Sequence, residues 1–315
     1  MDFFKPVDST EADPKYRSGT QNRWWQKMPQ PIFSPLRGKR VEVALPALLA
    51  PTLPIHHMRV EPIFHTGSLL FAIDDPPVAE VVNDTGGVLA DFWRTMRDES
   101  AFKDFAKLCN STPYSEAAFL EARMVLEDPD PVLRAWAFFV MNRMGTLENS
   151  SRLATISQKR TRRAMTEQAA SFLSAVDMLP QFHERFRSVT HISRDPLAVV
   201  REFDQHDVLI VITPQASKPG FRTLGELFGS DDPGYDFDVR HTLNNLTAFA
   251  LVVIESGHPV DKVFESMWWH RLDFETRTWH SWARKPPRPA RLWSNFHFAR
   301  ETECGQRVHK ARIFL

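Results

Sequence analysis

The sequence RVEPIFHTG, residues 59 to 67, is followed by EVVND, residues 80 to 84. The first segment is largely apolar and turns at Gly67, and the second ends on an acid, Asp84. A strand that turns through small residues lets backbone N–H groups approach a ligand, and an acid at the end of the next strand can accept hydrogen bonds from a ribose. This order predicts half of a nucleotide-type cofactor site, with Gly67 and Asp84 in those two places.

The rest of the chain predicts an α/β fold. VLIVI, residues 208 to 212, is an apolar run of the length of a buried strand. Apolar residues recur at helical spacing from Phe92 to Leu108, and further helices are expected from Ser115 and after Pro131. We therefore expect a mostly parallel sheet with helices on both faces and a helical insertion that forms a lobe.

Three regions are expected on this basis. Residues 1–30 are polar and rich in proline, which predicts an extended N-terminal arm. Residues 31–110 and 190–315 are expected to form the α/β domain. Residues 111–189 are expected to form the helical insertion.

Several segments together resemble the Dam-like DNA adenine methyltransferases. Gly38-Lys39 is similar to the family's Gly-Gly-Lys motif, Glu61-Pro62-Ile63 to its Glu-Pro-Phe, and the segment 80–84 to its acid-bearing second strand. The helix and cap that follow in family members resemble Asp91-Phe92-Trp93-Arg94 and Thr112-Pro113-Tyr114-Ser115, and the closing strand region resembles residues 284–296. The likeness covers most of the chain after about residue 30.

This resemblance implies a Rossmann-like methyltransferase sheet with a helical target-recognition insertion. It also implies S-adenosylmethionine as cofactor, with Lys39 near its methionine end and the remaining contacts from Glu61, His65, Gly67 and Asp84. His65 departs from the pattern, because the family's loop reads Phe-x-Gly-x-Gly and has glycine at this position. A side chain there obstructs the ligand or demands a different loop path.

The catalytic motif departs further. The family's Asp-Pro-Pro-Tyr corresponds to Thr213-Pro214-Gln215-Ala216, so the acid, the second proline and the aromatic are absent. An exocyclic amine is a poor nucleophile, and the site must accept its hydrogen bonds as positive charge develops. The aromatic stacks on the flipped base. Thr213 and the carbonyl of Pro214 can still accept hydrogen bonds, whereas Gln215 offers no stacking face.

Three hypotheses follow from these departures. The chain is a DNA-binding homologue that has lost the standard reaction and acts in DNA modification or protection, or it is an active S-adenosylmethionine-dependent adenine methyltransferase with a divergent loop. A third hypothesis is a base modifier that uses another donor, which His65 could accommodate. A protein partner or a second copy of the chain could supply missing groups.

Double-stranded DNA is the partner that the resemblance implies. The most basic run lies in the expected lobe, and guanidinium groups there could neutralise phosphates without sequence choice. A solvated helix face or loop explains the same run equally well. A second basic stretch is expected near the same groove. The residues concerned are Lys159, Arg160, Arg162 and Arg163 in the run and Arg284 and Lys285 in the second stretch.

Composition narrows the class of protein. The chain has 315 residues, of which 43% are hydrophobic, so it can bury a large core. Its formal net charge is +0, so any surface that binds nucleic acid must come from local clustering of positive charge. Cys109 and Cys304 are too few and too far apart for a disulfide scaffold, and no metal site is expected. No apolar run approaches a membrane span, so we expect a cytoplasmic protein of a bacterium or of a phage-infected cell.

Overall fold

A computed structural model describes residues 36, 53–72, 78–146, 150–156, 161–162, 164–213, 221–255, 257–277, 288–298 and 313–314. The arm predicted at residues 1–30 lies outside the described residues. The strands are β1 (Met58–Glu61), β2 (Ala79–Asn83), β3 (Thr161–Arg162), β4 (Met165–Thr166), β5 (Thr190–Ile192), β6 (Val208–Ile212), β7 (Phe249–Glu255), β8 (His270–Arg277), β9 (Arg288–Ser294) and β10 (Ile313–Phe314).

Helices connect most of these strands. They are α1 (Ser68–Ala72), α2 (Gly87–Arg97), α3 (Glu99–Ser111), α4 (Glu116–Met124), α5 (Pro131–Met144), α6 (Glu167–Asp177), α7 (Leu179–Arg187), α8 (Pro196–Glu202), α9 (Leu224–Phe228), α10 (Pro233–Asn244) and α11 (Asp261–Ser266). Within the described part of the chain, no helix combines the length and apolar character needed to cross a membrane.

The main sheet has the order β10-β8-β9-β7-β6-β1-β2-β5, and β3 and β4 form a separate antiparallel pair. Neighbours in the main sheet are parallel except at β9, which is antiparallel to both β7 and β8. The predicted α/β fold with a mostly parallel sheet flanked by helices is confirmed, and the sheet is compatible with a Rossmann-like fold.

Strand β6 shows why the sheet lies inside the molecule. All five of its residues are buried, and alternate side chains enter different apolar clusters because successive residues of a strand point to opposite faces. Val208, Ile210 and Ile212 join a cluster that includes residues of α8, α9 and α10. Leu209 and Val211 join a cluster on the other face. Both faces are therefore covered, as expected for a parallel strand.

A large aromatic core holds the helices between β2 and β5. Phe92 and Trp93 of α2, Phe105 of α3 and Phe139 of α5 are fully buried in one cluster. Phe92 packs edge-on against Phe105, with ring centroids 5.8 Å apart. Whether residues 111–189 form a unit of their own stays a prediction, but this helical block shares one core that also reaches Val82 of β2.

The predicted helix from Phe92 to Leu108 is wrong as a single element. The chain breaks at Asp98, whose backbone is extended (φ −78°, ψ 125°) and whose side chain accepts a 2.7 Å hydrogen bond from the Ala101 N–H. Asp98 thus ends α2 and caps α3, because a carboxylate at this position satisfies a free N–H of the first turn. The helix starts predicted at Ser115 and Pro131 are confirmed by α4 and α5.

Candidate ligand cleft at the carboxyl edge of the sheet

A cleft of about 530 Å³ opens where β1, β2 and β5 end. Strand β1 pairs with β2 on one side and with β6 on the other, so the strand order reverses there. Ligands of open α/β sheets bind at the carboxyl edge beside such a reversal. The cleft is lined by Pro62, Ile63, Phe64 and His65 after β1, by Asn83, Asp84 and Thr85 at β2, by Ser193, Arg194, Asp195 and Pro196 after β5, and by Leu227, Phe228, Gly229, Ser230 and Tyr235.

The loop after β1 is tightly folded. The Gly67 N–H donates to the Phe64 carbonyl at 3.0 Å, and Trp93 Nε1 donates to the His65 carbonyl at 3.0 Å. Gly67 has φ +66°, and a Cβ added there would lie 2.7 Å from Phe64 Cζ. Glycine is therefore required at this position by both conformation and space.

His65 keeps the left-handed backbone conformation that its glycine-like position demands. Its φ is +49°, which is uncommon for a residue with a side chain. The sequence left open whether the imidazole changes the loop path or obstructs the ligand. In the structure the half-buried His65 lines the cleft, so the loop keeps this conformation with a residue larger than glycine.

Asp84 is the clearest binding group in the cleft. It is buried directly after β2, and its Oδ2 atom has no hydrogen-bond partner among the described residues. Burial raises the pKa of this carboxyl to about 7, against the opposing effects of the Thr85 backbone N–H and the Arg94 guanidinium. A buried oxygen without a partner is costly, and a ligand that donates a hydrogen bond would remove that cost.

The other predicted cofactor residues have different positions. Glu61 is buried at the last position of β1, while the next residues, Pro62 and Ile63, line the cleft. Gly67 supports the loop without lining the cleft. Lys39 lies outside the described residues.

Asn83 organises the cleft, a role that the sequence did not indicate. Its Nδ2 donates to the Pro62 carbonyl at 2.9 Å and to the Arg194 carbonyl at 3.0 Å, and its Oδ1 accepts from the Arg194 N–H at 2.9 Å. Asn83 is fully buried. One side chain therefore joins the loops that follow β1 and β5 on either side of Asp84.

Asp195 and Tyr235 form a polar pair on the opposite wall. Asp195 Oδ2 caps α8 by accepting from the Ala198 N–H at 2.8 Å, and its Oδ1 accepts from the Tyr235 hydroxyl at 2.6 Å. Burial and the bond to Asp195 raise the pKa of Tyr235, so its hydroxyl stays a donor. A helix cap, Asp195 followed by Pro196, marks this position in the sequence and could have revealed it.

The predicted catalytic residues are only partly described. Thr213 follows β6, is buried, and its hydroxyl donates to the Ile63 carbonyl at 3.4 Å. This contact places the end of β6 next to the wall of the cleft. Pro214 and Gln215 lie outside the described residues.

The predicted DNA-contacting residues are also mostly outside the described part, which excludes Lys159, Arg160, Arg163, Arg284 and Lys285. Arg162 is described, and it is exposed on β3, where it pairs with Met165. No group of three or more metal-ligating side chains occurs among the described residues, and the absence of a metal stays a prediction.

Taken together, the cleft combines the Asp84 carboxylate and the polar pair of Asp195 and Tyr235 with apolar surface from Ile63, Phe64, Leu227 and Phe228. This combination suits a nucleoside, since sugar hydroxyls can donate to Asp84 while a base packs against apolar surface. Comparison of the sequence with protein-family models gives no match, and no curated protein sequence matches it significantly.

Proposed function

We propose that this chain is a DNA-binding homologue of the Dam-like DNA adenine methyltransferases that holds an adenosyl ligand but has lost ordinary adenine methylation. The observation that carries the proposal is Thr213. The resemblance aligns it with the catalytic acid of those enzymes, and its buried hydroxyl donates to the chain's own Ile63 carbonyl.

The chemistry explains why this replacement matters. As the exocyclic amine of adenine attacks a methyl group, it gains positive charge, which a carboxylate stabilises better than a neutral hydroxyl. The threonine hydroxyl is moreover already committed to Ile63. The two residues after Pro214, Gln215 and Ala216, supply no aromatic ring for a flipped base.

Asp84 supports the retention of a ligand. Asp84 lines the cleft, and its Oδ2 atom has no hydrogen-bond partner among the described residues. The vicinal hydroxyls of a ribose can donate hydrogen bonds to this carboxylate. Of the adenosyl ligands, S-adenosylmethionine is the one that the resemblance implies.

DNA binding rests on the basic run in the helical block. Arg162 is exposed on the short β3 strand, and three further cations flank it in the sequence, Lys159, Arg160 and Arg163. Phosphate neutralisation by such a run supplies affinity without sequence preference. A protein that binds DNA without modifying it could protect a site or regulate access to it.

One observation favours a second candidate, a DNA base modifier with another donor. His65 lines the cleft in place of the glycine of the related enzymes, and an imidazole can transfer a proton near neutral pH. Conversion of a nucleoside in DNA to a product other than methyladenine would distinguish this candidate from the first.

Titration calorimetry with S-adenosylmethionine tests the binding half of the proposal. At pH 8, where Asp84 is ionised, Asp84→Asn should weaken binding by about 1 to 3 kcal/mol, the scale of a lost hydrogen bond to a buried charge. The matched control is Asp104→Asn, which removes an exposed carboxylate from α3 and should leave affinity unchanged. No heat of binding at millimolar ligand would contradict the proposal.

A further inference from the structure

A second cavity, of about 400 Å³, lies beside the cleft. It is formed by the last turn of α2 and the end of β5, and it is lined by Arg94, Arg97, Asp98, His191, Ile192 and Ser193. Ser193 lines both cavities. Arg94 is also close enough to Asp84 to oppose the rise in the pKa of that carboxyl. The second cavity therefore adjoins the cleft that contains Asp84.

The charges around the second cavity are mainly positive. Arg94 Nη1 lies 3.1 Å from Asp91 Oδ1, but Arg134 Nε already holds the other oxygen of Asp91 at 2.9 Å. Asp98 caps α3 with its carboxylate. Arg97 has no ion-pair partner in the part of the chain that the structure describes. The carboxylates nearest to these two arginines, Asp91 and Asp98, therefore already have other hydrogen-bond partners.

His191 also lines this cavity. Its Nε2 is buried and has no hydrogen-bond partner among the described residues. Burial, together with the positive charges of Arg94 and Arg97, lowers the pKa of His191 to about 4. The ring is therefore neutral at neutral pH.

We propose that this cavity binds the phosphate of a nucleoside that is phosphorylated on its ribose, with the guanidinium groups of Arg94 and Arg97 as the phosphate contacts. The proposal rests on the adenosyl site proposed above, because it requires the sugar to lie at Asp84. It assigns to that site a ribose-phosphorylated ligand in place of S-adenosylmethionine, whose ribose carries no phosphate. Arginine suits this task because its fork of donors matches phosphate oxygens in pairs. An arginine near the acid of the second strand serves dinucleotides with a ribose phosphate in the same way.

A purely structural explanation accounts for part of the arrangement. Arg94 and Arg97 lie in the last turn of α2, where cations complement the partial negative charge of the helix terminus. That explanation does not require a cavity that adjoins the cleft at Ser193. Phosphate binding accounts for both the two arginines and the adjoining cavity.

The test is titration calorimetry of the full chain with adenosine, adenosine 2′-phosphate, adenosine 3′-phosphate and adenosine 5′-phosphate. We expect one of the 2′- and 3′-phosphates to bind about 10- to 100-fold more tightly than adenosine, the effect of hydrogen bonds to a charged group. In Arg94→Gln/Arg97→Gln the ratio of the affinity for this ribose phosphate to the affinity for adenosine should fall to about one. The control Arg123→Gln/Arg222→Gln removes two exposed arginines elsewhere and should keep the ratio.

Three results would overturn the inference. Equal affinities for adenosine and for both ribose phosphates would contradict this inference but not the proposal that the cleft binds an adenosyl ligand. A loss of duplex DNA binding in Arg94→Gln/Arg97→Gln, with the nucleotide ratio unchanged, would assign the arginines to the DNA backbone. The failure of every adenosine compound to bind would remove the proposed ligand function together with this inference. Circular dichroism and thermal melting of each variant confirm that the comparison concerns folded protein.

Discussion

Asn83 and Arg194 are joined by two hydrogen bonds, one in each direction, between the side-chain amide of Asn83 and the backbone of Arg194. A third bond ties the same amide to the Pro62 carbonyl. The loops after β1 and β5 are thereby fixed relative to Asp84, which follows Asn83 directly. The position of the carboxylate thus depends on contacts between segments that are far apart in the sequence.

Asn83→Ala should destabilise the fold, because it leaves the buried Pro62 carbonyl and the partly buried backbone groups of Arg194 without their partner. We expect a loss of about 1 to 3 kcal/mol in the free energy of unfolding, measured by urea denaturation. The control Asn110→Ala removes an exposed amide that donates to the Ala106 carbonyl of its own helix. A loss for Asn83→Ala no larger than for the control would show that the three bonds do not hold the cleft.

Asp84 should make stability depend on pH in a defined direction. Its pKa in the folded state, about 7, lies above its ordinary value of 3.8, so the folded state binds more protons between these limits. The contribution to stability is fully present below pH 3.8 and is lost as the pH rises through 7. Asp84→Asn should flatten this decline in urea denaturation at pH 4.5, 6 and 8. Parallel pH profiles for the two proteins would count against the burial of an unpaired carboxyl.

Gly67 and Gly229 distinguish the cost of backbone strain from the cost of crowding. Both have positive φ, but a Cβ at Gly67 would lie 2.7 Å from Phe64 Cζ, whereas nothing lies within 4 Å of a Cβ at Gly229. Gly229→Ala should cost about 1 to 2 kcal/mol, because Gly229 has a left-handed backbone (φ 100°, ψ 10°). Gly67→Ala should cost more, by the further 1 kcal/mol or so typical of overpacking. Equal losses in thermal unfolding would show that Phe64 gives way without cost.

The basic run should control the salt dependence of DNA binding. Replacing Arg160, Arg162 and Arg163 by alanine should reduce the slope of log affinity against log salt concentration by about one unit for each lost phosphate contact. Fluorescence anisotropy with a labelled duplex measures this slope. The control Arg123→Ala removes an exposed arginine of α4. An unchanged slope in the triple variant would show that the run is an ordinary solvated surface that does not contact DNA phosphates.

The main elements of the sheet could be predicted because their signals are local. VLIVI at 208–212 is apolar throughout, as a strand covered on both faces must be, and Ser115 and Pro131 are typical residues at helix starts. The break at Asp98 was missed, since the apolar spacing of α2 continues into α3 and only the side-chain cap reveals the division.

The cleft was less predictable, because its key relationships are not local. Asp84 could be recognised as an acid after a strand, but the partners of Asn83 follow from tertiary packing across 111 positions. Asp195 and Tyr235 meet for the same reason across 40 positions. The positive cavity at Arg94, Arg97 and His191 likewise exists only where α2 packs beside the end of β5.

The central claim is that the chain keeps a ligand site and has lost adenine methylation. Mass spectrometry of nucleosides from the DNA of cells that express the chain tests it most directly, with a Lys39→Ala/Asp84→Asn variant expressed at the same level for comparison. We predict no methyladenine above the level found with this variant. A methyladenine peak that appears with the natural chain and disappears with the variant would contradict the claim and establish an active methyltransferase.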